Sequence, residues 1–566
     1  MTLKFSEYKY EQPDLESLRN EFKSISEKFI NAQNANEQIQ LIERSTKLSN
    51  YFGSMFNVGC INFSIDTTNT IYETARNYFN DSYPVFGQLE KDFSRLIISS
   101  KYRSELEMHF GSLYFKMHEL SIKLSDPSVT EFEIKENNLV TEYSKLLATA
   151  KIPFEGKEYN IGGLIPFMSS TDRQTRKKAQ DAKWKFFDDN KNELDKIFDE
   201  LVKVRDLIAK KLGYKNYIQY AYDCMGRIDY GQNEVAQFRE NVLKYALPVS
   251  TKLKQKQAAR LGLDKLMYYD AGLDFNSGNA KPKGNSEWIL NNAKIMYDEL
   301  SPETSEFFNY MLERELMDLD NKPGKEGGGF CAYIDLYKSP FIFSNMNGTD
   351  HDVVVLTHEA GHAYQNYCSR EIEIRELQSP GAEACEIHSM SMELMTFPWM
   401  HLFFKEDTEK FKFSLVANSI AYLPFGSAGD EFQHRIYENP DMAPEERNKV
   451  WLELEDKYLP DVDNSGNDFL CEGRKWQSLS LIYERPFYFI DYAMAQMSAY
   501  EFWKRSTEDL DKAMKDYTEL CKAGGTKPFL ELLKLAKLNS PFDEEAFKNN
   551  ICFAEDWLNK IDDSKF

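Results

Sequence analysis

T-D-H-D-V-V-V-L-T-H-E-A-G-H-A-Y-Q-N-Y-C-S, residues 349–369, decides how this chain is read. Thr349 followed by Asp352 resembles a capping box, with Asp in place of the usual Glu or Gln. A helix starting there carries His358 and His362 four residues apart, one turn from each other on one face. Two imidazoles so placed both reach one cation at the usual Zn–N distance of ~2.0–2.1 Å. Glu359 is rotated by ~100° about the axis, which suits a carboxylate that meets water at the metal without binding the metal. H-E-x-x-H thus combines two ligands with a general base. The competing reading is two surface histidines on an amphipathic helix. Gly361 is informative as well, because Gly inside a helix is less favourable than Ala by ~1 kcal/mol. Either another backbone or a substrate passes close by, or it is an ordinary packing glycine.

A third protein ligand is needed to leave one coordination position open. S-P-G-A-E-A-C-E-I-H-S-M-S-M-E-L-M follows at 379–395. Pro380-Gly381 breaks the chain and a helix restarts after it. Glu383, Glu386 and Glu393 then share roughly one face, and an antiparallel helix presents one of them to the two histidines. Spacing alone does not choose among them. His388 sits off that face and reads as a hydrogen-bonded support or a core residue rather than a ligand.

Working outward, helical periodicity dominates. Leu15, Leu18, Phe22, Ile25 and Phe29 mark the buried face of a helix after Pro13-Asp14, and similar stretches recur through residue 150. I-P-F-E-G-K-E-Y-N-I-G-G-L (152–164) reads as strand with a Gly turn, and F-C-A-Y-I-D-L-Y (330–337) and P-F-I-F-S-N-M-N-G (340–348) contain β-formers. The expected chain is mostly α, with a small sheet just before the His-rich helix. A loose division is expected near residue 200, giving a helical lobe over 1–200 and a catalytic lobe over 201–566.

Composition sets the outer limits. A chain of 566 residues, 42% hydrophobic, builds a large core. The formal net charge of -22 disfavours nucleic acid and anionic lipid as partners. No apolar run approaches the ~18 residues that span a bilayer. The N-terminus lacks the apolar segment of a secretory signal. The eight cysteines are scattered without a C-x-x-C pair, which fits reduced thiols. A soluble, cytoplasmic protein is expected; the oligomeric state is left open.

H-E-A-G-H-A-Y-Q followed by C-E-I-H-S-M-S-M-E resembles the M3 metallopeptidases, more narrowly the oligoendopeptidase F branch that includes the Pz-peptidases. M-G-R-I-D-Y-G (225–231), G-G-G-F-C-A-Y (327–333), D-E-F-Q-H (430–434), E-N-P-D-M-A-P-E-E-R (438–447) and P-F-Y-F-I-D-Y-A-M-A-Q (486–496) agree with it. The resemblance covers the chain from about residue 150 onward. It implies a zincin-type fold, a mostly helical two-lobed ellipsoid with a deep central channel and a small β-sheet near the active site. It implies one Zn²⁺ per chain on His358, His362 and Glu386, with Glu383 and Glu393 supporting or structural. The implied activity is cleavage of internal bonds of short unstructured oligopeptides, with metal-activated water as nucleophile and Glu359 as general base.

The resemblance further implies that a tyrosine stabilises the oxyanion. Tyr492 matches best and Tyr488 is next. Leu481 and Phe489 depart from the family pattern, where His and Tyr often stand. His434 matches the family without an assigned role. Gly327-Gly328-Gly329 before the strand-like F-C-A-Y-I suggests a strand edge that holds an extended peptide through its backbone, or else a flexible hairpin loop. Two rival functions are a non-catalytic peptide-binding protein on the same scaffold and a metallohydrolase of a non-peptide amide.

Overall fold

A computed structural model describes residues 3–322 and 324–566. The chain is mostly helical, as expected, and carries seven short strands among the described residues. It divides into two compact units, each built from three stretches of sequence. One takes the chain up to Lys123, then Lys281–Lys405 and Ser498–Asn539; the other takes Leu124–Ala280, Glu406–Met497 and Ser540–Phe566. The division expected near residue 200 falls inside the unbroken helix Arg173–Lys211, within the second unit.

In the first unit, helices Leu15–Asn31, Ala35–Ile65 and Thr70–Ile98 pack together. Asp14 caps the first by accepting from the amides of Glu16 and Ser17. The residues spaced three and four apart, Leu18, Phe22, Ile25 and Phe29, are its buried face. They meet Phe52, Phe86 and Phe93, with Phe52 and Phe86 stacked at 4.0 Å. The sheet that follows has the order β4-β6-β5. β4 (Met317–Asp320) runs parallel to β6 (Ser339–Met346), and β5 (Phe330–Ile334) runs antiparallel to it. β6 is the central strand and almost wholly buried, with Phe341, Ile342 and Phe343 at its middle. β5 is an edge strand.

The second unit contains the hairpin of β1 (Ile152–Phe154) and β2 (Lys157–Tyr159), and a parallel pair of β3 (Leu266–Met267) and β7 (Val462–Asp463). Its long helices Arg173–Lys211 and Thr408–Glu438 bury Phe198, Phe432 and, beside them, Trp451 and Trp476. Arg205 is fully buried there, and its charge meets Glu136 at 2.6 Å and the Tyr437 hydroxyl at 3.0 Å. No described helix is long and apolar enough to cross a membrane.

Candidate metal centre

The His-rich stretch forms the helix His351–Cys368, packed on β5 and β6. Its start differs from the expected capping box. Asp352 does not pair with Thr349 through its side chain. Its carboxylate accepts instead from the amides of Asn347 (2.9 Å) and Gly348 (2.7 Å), so it fastens the turn that leaves β6. The chain then turns at Ser379–Gly381 and returns as the helix Ala382–Met395, which packs along the first.

Gly361 explains how close these helices come. A Cβ on it would lie 2.6 Å from the His388 carbonyl oxygen and 2.6 Å from Ser389 Cα. A passing backbone, not ordinary side-chain packing, is the reason for this glycine. Its neighbour is pinned from the far side, because the Tyr517 hydroxyl donates to the same His388 carbonyl at 2.8 Å. Tyr517 belongs to the helix Leu510–Ala523, whose Thr518 hydroxyl also bonds the Tyr364 hydroxyl at 2.9 Å.

The approach brings His358, His362 and Glu386 together, one ligand atom of each lying within 4.8 Å of the others. His358 Nε2 is 3.3 Å and His362 Nε2 3.6 Å from Glu386 Oε2. Metal–ligand bonds of ~2.0–2.1 Å at tetrahedral angles separate ligand atoms by roughly 3.3–3.4 Å. The donors therefore fit a zinc-sized ion in both kind and spacing. Glu393 stands behind His358 and accepts from its Nδ1 at 2.7 Å, so Nε2, which faces Glu386, is the nitrogen that a metal would bind in place of a proton. Ser389 donates to Glu386 Oε2 at 2.9 Å. Glu383 begins the same helix, next to Gly381, and is not part of the cluster. His388 is fully buried, and burial lowers its pKa to about 3, so it is a neutral core ring.

The electrostatics separate the roles. Burial pushes His362 down to about 4. Burial also works against a charged His358, yet its bonds to Glu386 and Glu393 outweigh that and hold its pKa well above the ordinary value. A metal ion in the cluster replaces that proton. Glu359 is buried one residue on, and burial raises its carboxyl to about 7, the range in which a carboxylate accepts a proton and returns it. Gly329 lies beside it: a Cβ there would be 3.7 Å from Glu359 Oε1. The strand edge thus begins next to Glu359.

Tyr488 and Tyr492 belong to the second unit. Tyr492 lies in the first turn of the helix Phe489–Glu508 and Tyr488 immediately precedes that helix, their rings 5.2 Å apart. The chain enters through Phe487, a fully buried aromatic residue with φ of 68°. Its amide donates to Gln433 Oε1 at 2.8 Å, and its carbonyl accepts from Arg227 at 2.8 Å. Arg227 also pairs with Asp491 at 2.6 Å, both side chains fully buried. His434 packs edge-on to the Phe487 ring at 5.0 Å and meets the Tyr222 hydroxyl at 3.2 Å, so it supports this turn. Phe489 is core: it packs on Gly429, where a Cβ would come within 3.2 Å of its ring. Sequence reasoning missed Arg227, Gln433 and Phe487. Only the M-G-R-I-D-Y-G, D-E-F-Q-H and P-F-Y-F-I-D-Y-A-M-A-Q motifs, which contain them in that order, pointed at them.

Known proteins resemble this one along its length. The family description "Peptidase M3 N-terminal domain" matches residues 5–125, and "Peptidase family M3" matches residues 166–550. The structure of Pz peptidase A, solved with an inhibitor, is similar at 47% identity and a TM-score of 0.95, covering 99% of this chain and 100% of that one. A structure from Bacillus anthracis str. Ames, described as an oligoendopeptidase F, is similar at 45% identity and a TM-score of 0.91, covering 100% of this chain and 99% of that one. Oligopeptidase PepF of Bacillus subtilis is 21% identical over 614 residues, or 98% of this chain and 87% of that protein. With a family match over well more than half of its length, the chain belongs to peptidase family M3.

Proposed function

We propose that this family M3 peptidase is a zinc-dependent endopeptidase that cleaves internal bonds of short, unstructured oligopeptides in the cytoplasm. The observation that carries the proposal is the donor triangle of His358, His362 and Glu386, with ligand separations of 3.3 and 3.6 Å and Glu359 on the adjacent turn position. When bound, zinc supplies Lewis acidity that makes water a nucleophile near neutral pH. Glu393 holds His358 in the tautomer that leaves Nε2 free to bind. Glu359 accepts the proton of the attacking water and returns it to the leaving amine. Tyr492, with Tyr488 next, donates a hydrogen bond to the carbonyl oxygen as it becomes negative; such a donor contributes ~2.7–4 kcal/mol. The edge of β5 holds the peptide in extended form through its backbone, beginning at Gly329 beside Glu359. Backbone recognition makes the enzyme tolerant of sequence. The names of similar proteins, oligopeptidase and oligoendopeptidase, support short substrates. Eight free cysteines suit a reducing compartment.

The test is Glu359→Gln. It keeps the shape and removes the base. The expected result is one equivalent of bound zinc, an unchanged melting profile and a fall in turnover of about 10²–10⁴-fold. Turnover within a few-fold of the parent, with zinc retained, contradicts the role of Glu359.

A further inference from the structure

β5 offers a peptide only part of its edge. In an antiparallel pair, alternate residues turn both backbone groups inward to the partner strand or outward. The register sets Tyr333 opposite Pro340, which has no N–H to give. Tyr333 therefore turns outward, and by alternation so do Cys331 and Gly329. The outward carbonyl of Tyr333 is already taken: Asn57 Nδ2 donates to it at 2.7 Å. One helical turn away, Ser54 Oγ accepts from the Leu336 amide at 2.8 Å. The helix Ala35–Ile65 thus seals the strand's far end with two polar side chains, while Phe330–Tyr333 are half-buried.

We infer that Asn57 is a specificity-determining residue: it ends the peptide-binding edge at Tyr333 and so limits how many substrate residues on one side of the scissile bond are recognised. This rests on the reading of β5 as the peptide-holding edge. From Gly329, beside Glu359, to Tyr333 is four residues, or roughly 13–14 Å of extended chain. A substrate pairs with Cys331 through both of its outward groups. Further along, the N–H that would seek the Tyr333 carbonyl finds Asn57 in its place. Additional residues on that side gain no backbone bond.

The experiment uses peptides sharing one cleavage site and lengthened one residue at a time on either side. kcat and KM are measured for the parent, Asn57→Ala and Asn57→Asp, both of which lack the amide donor, with melting curves for each. In the parent, kcat/KM stops rising with length on one side once the peptide reaches Tyr333. In either variant it rises further, by roughly five-fold, the equivalent of one hydrogen bond of about 1 kcal/mol. The gain falls in KM, and kcat on the shortest peptide stays unchanged. A folded variant whose length profile superimposes on the parent's overturns the role of Asn57. The underlying reading is tested separately by methylating each backbone N–H of the peptide in turn. Loss of cleavage at a position facing Cys331 supports the strand edge; no loss at any position overturns it, whatever Asn57 does.

Discussion

Gly361→Ala adds one methyl group where two helices touch through their backbones. Two effects compete. Ala is the better helix former by ~1 kcal/mol, so the isolated helix gains. Against that, the new Cβ lies 2.6 Å from the His388 carbonyl oxygen and from Ser389 Cα, where ordinary contact begins at 3.4 Å. The helices must part by about 0.8 Å, and the obstacle is backbone, which has no rotamer to change. His388 does not recoil freely, since its carbonyl is held by Tyr517. Overpacking of this kind is typically destabilising by ~1–3 kcal/mol, so the net sign is destabilising. The larger consequence is at the candidate metal centre. Glu386 and Ser389 ride on the displaced helix, and His358 and His362 on the other. Metal–ligand distances tolerate about ±0.2 Å, so an opening of 0.8 Å lifts Glu386 away from the two nitrogens. The assay is competition for zinc against a chromophoric chelator, alongside thermal unfolding and peptide turnover. Zinc affinity falls by at least 10-fold and turnover falls with it. A Gly361→Ala protein that binds zinc as tightly as the parent and turns over normally refutes the reasoning.

Other perturbations follow from the same structure. Glu393→Gln weakens the bond that orients His358, so metal affinity or activity falls by about 10–100-fold with little change in fold, read by the same chelator competition. His118 is buried in the first unit with Nδ1 on Ser94 at 2.8 Å, and burial lowers its pKa to about 4. The unfolded chain takes up that proton near pH 6.5, so the contribution to stability is full above 6.5 and is lost as pH falls toward 4, up to about 3 kcal/mol. Glu90 and Glu376 line the same small cavity with burial-raised pKa values and act in the opposite sense. Comparing the parent with His118→Gln by denaturant unfolding from pH 7 to 4 isolates the histidine: the variant loses less stability over that range. Asp491→Ala leaves the buried Arg227 charge unpaired, a loss of about 3–5 kcal/mol by denaturant unfolding, whereas Arg227→Met with Asp491→Leu restores much of it.

Much of the first unit's chemistry was legible because local rules govern it. The i, i+4 histidines needed only helical periodicity to land on one face. Leu18, Phe22, Ile25 and Phe29 did the same for the core. The choice among Glu383, Glu386 and Glu393 was not legible from spacing, because all three share a helix face. What separates them is the crossing of two helices at Gly361, a tertiary contact with no local pattern. The division of the chain was hidden for a related reason. Each compact unit is assembled from three distant segments, and no composition shift marks residues such as Lys281 or Ser498 as boundaries. The Tyr488–Tyr492 turn depends on Arg227, 260 residues before the Phe487 carbonyl it bonds. Asn57 likewise reaches Tyr333 across 276 residues. Pairings over such distances follow no local rule, even where a motif marks one of the partners.

The most direct test of the central claim is mass spectrometry of a peptide ladder, from five to about thirty residues, incubated with the protein as prepared, after chelation, and after zinc is added back. Internal cleavage confined to the shorter peptides, lost on chelation and restored by zinc, is the predicted result. Cleavage that survives chelation, or none in protein shown to hold one zinc per chain, contradicts it.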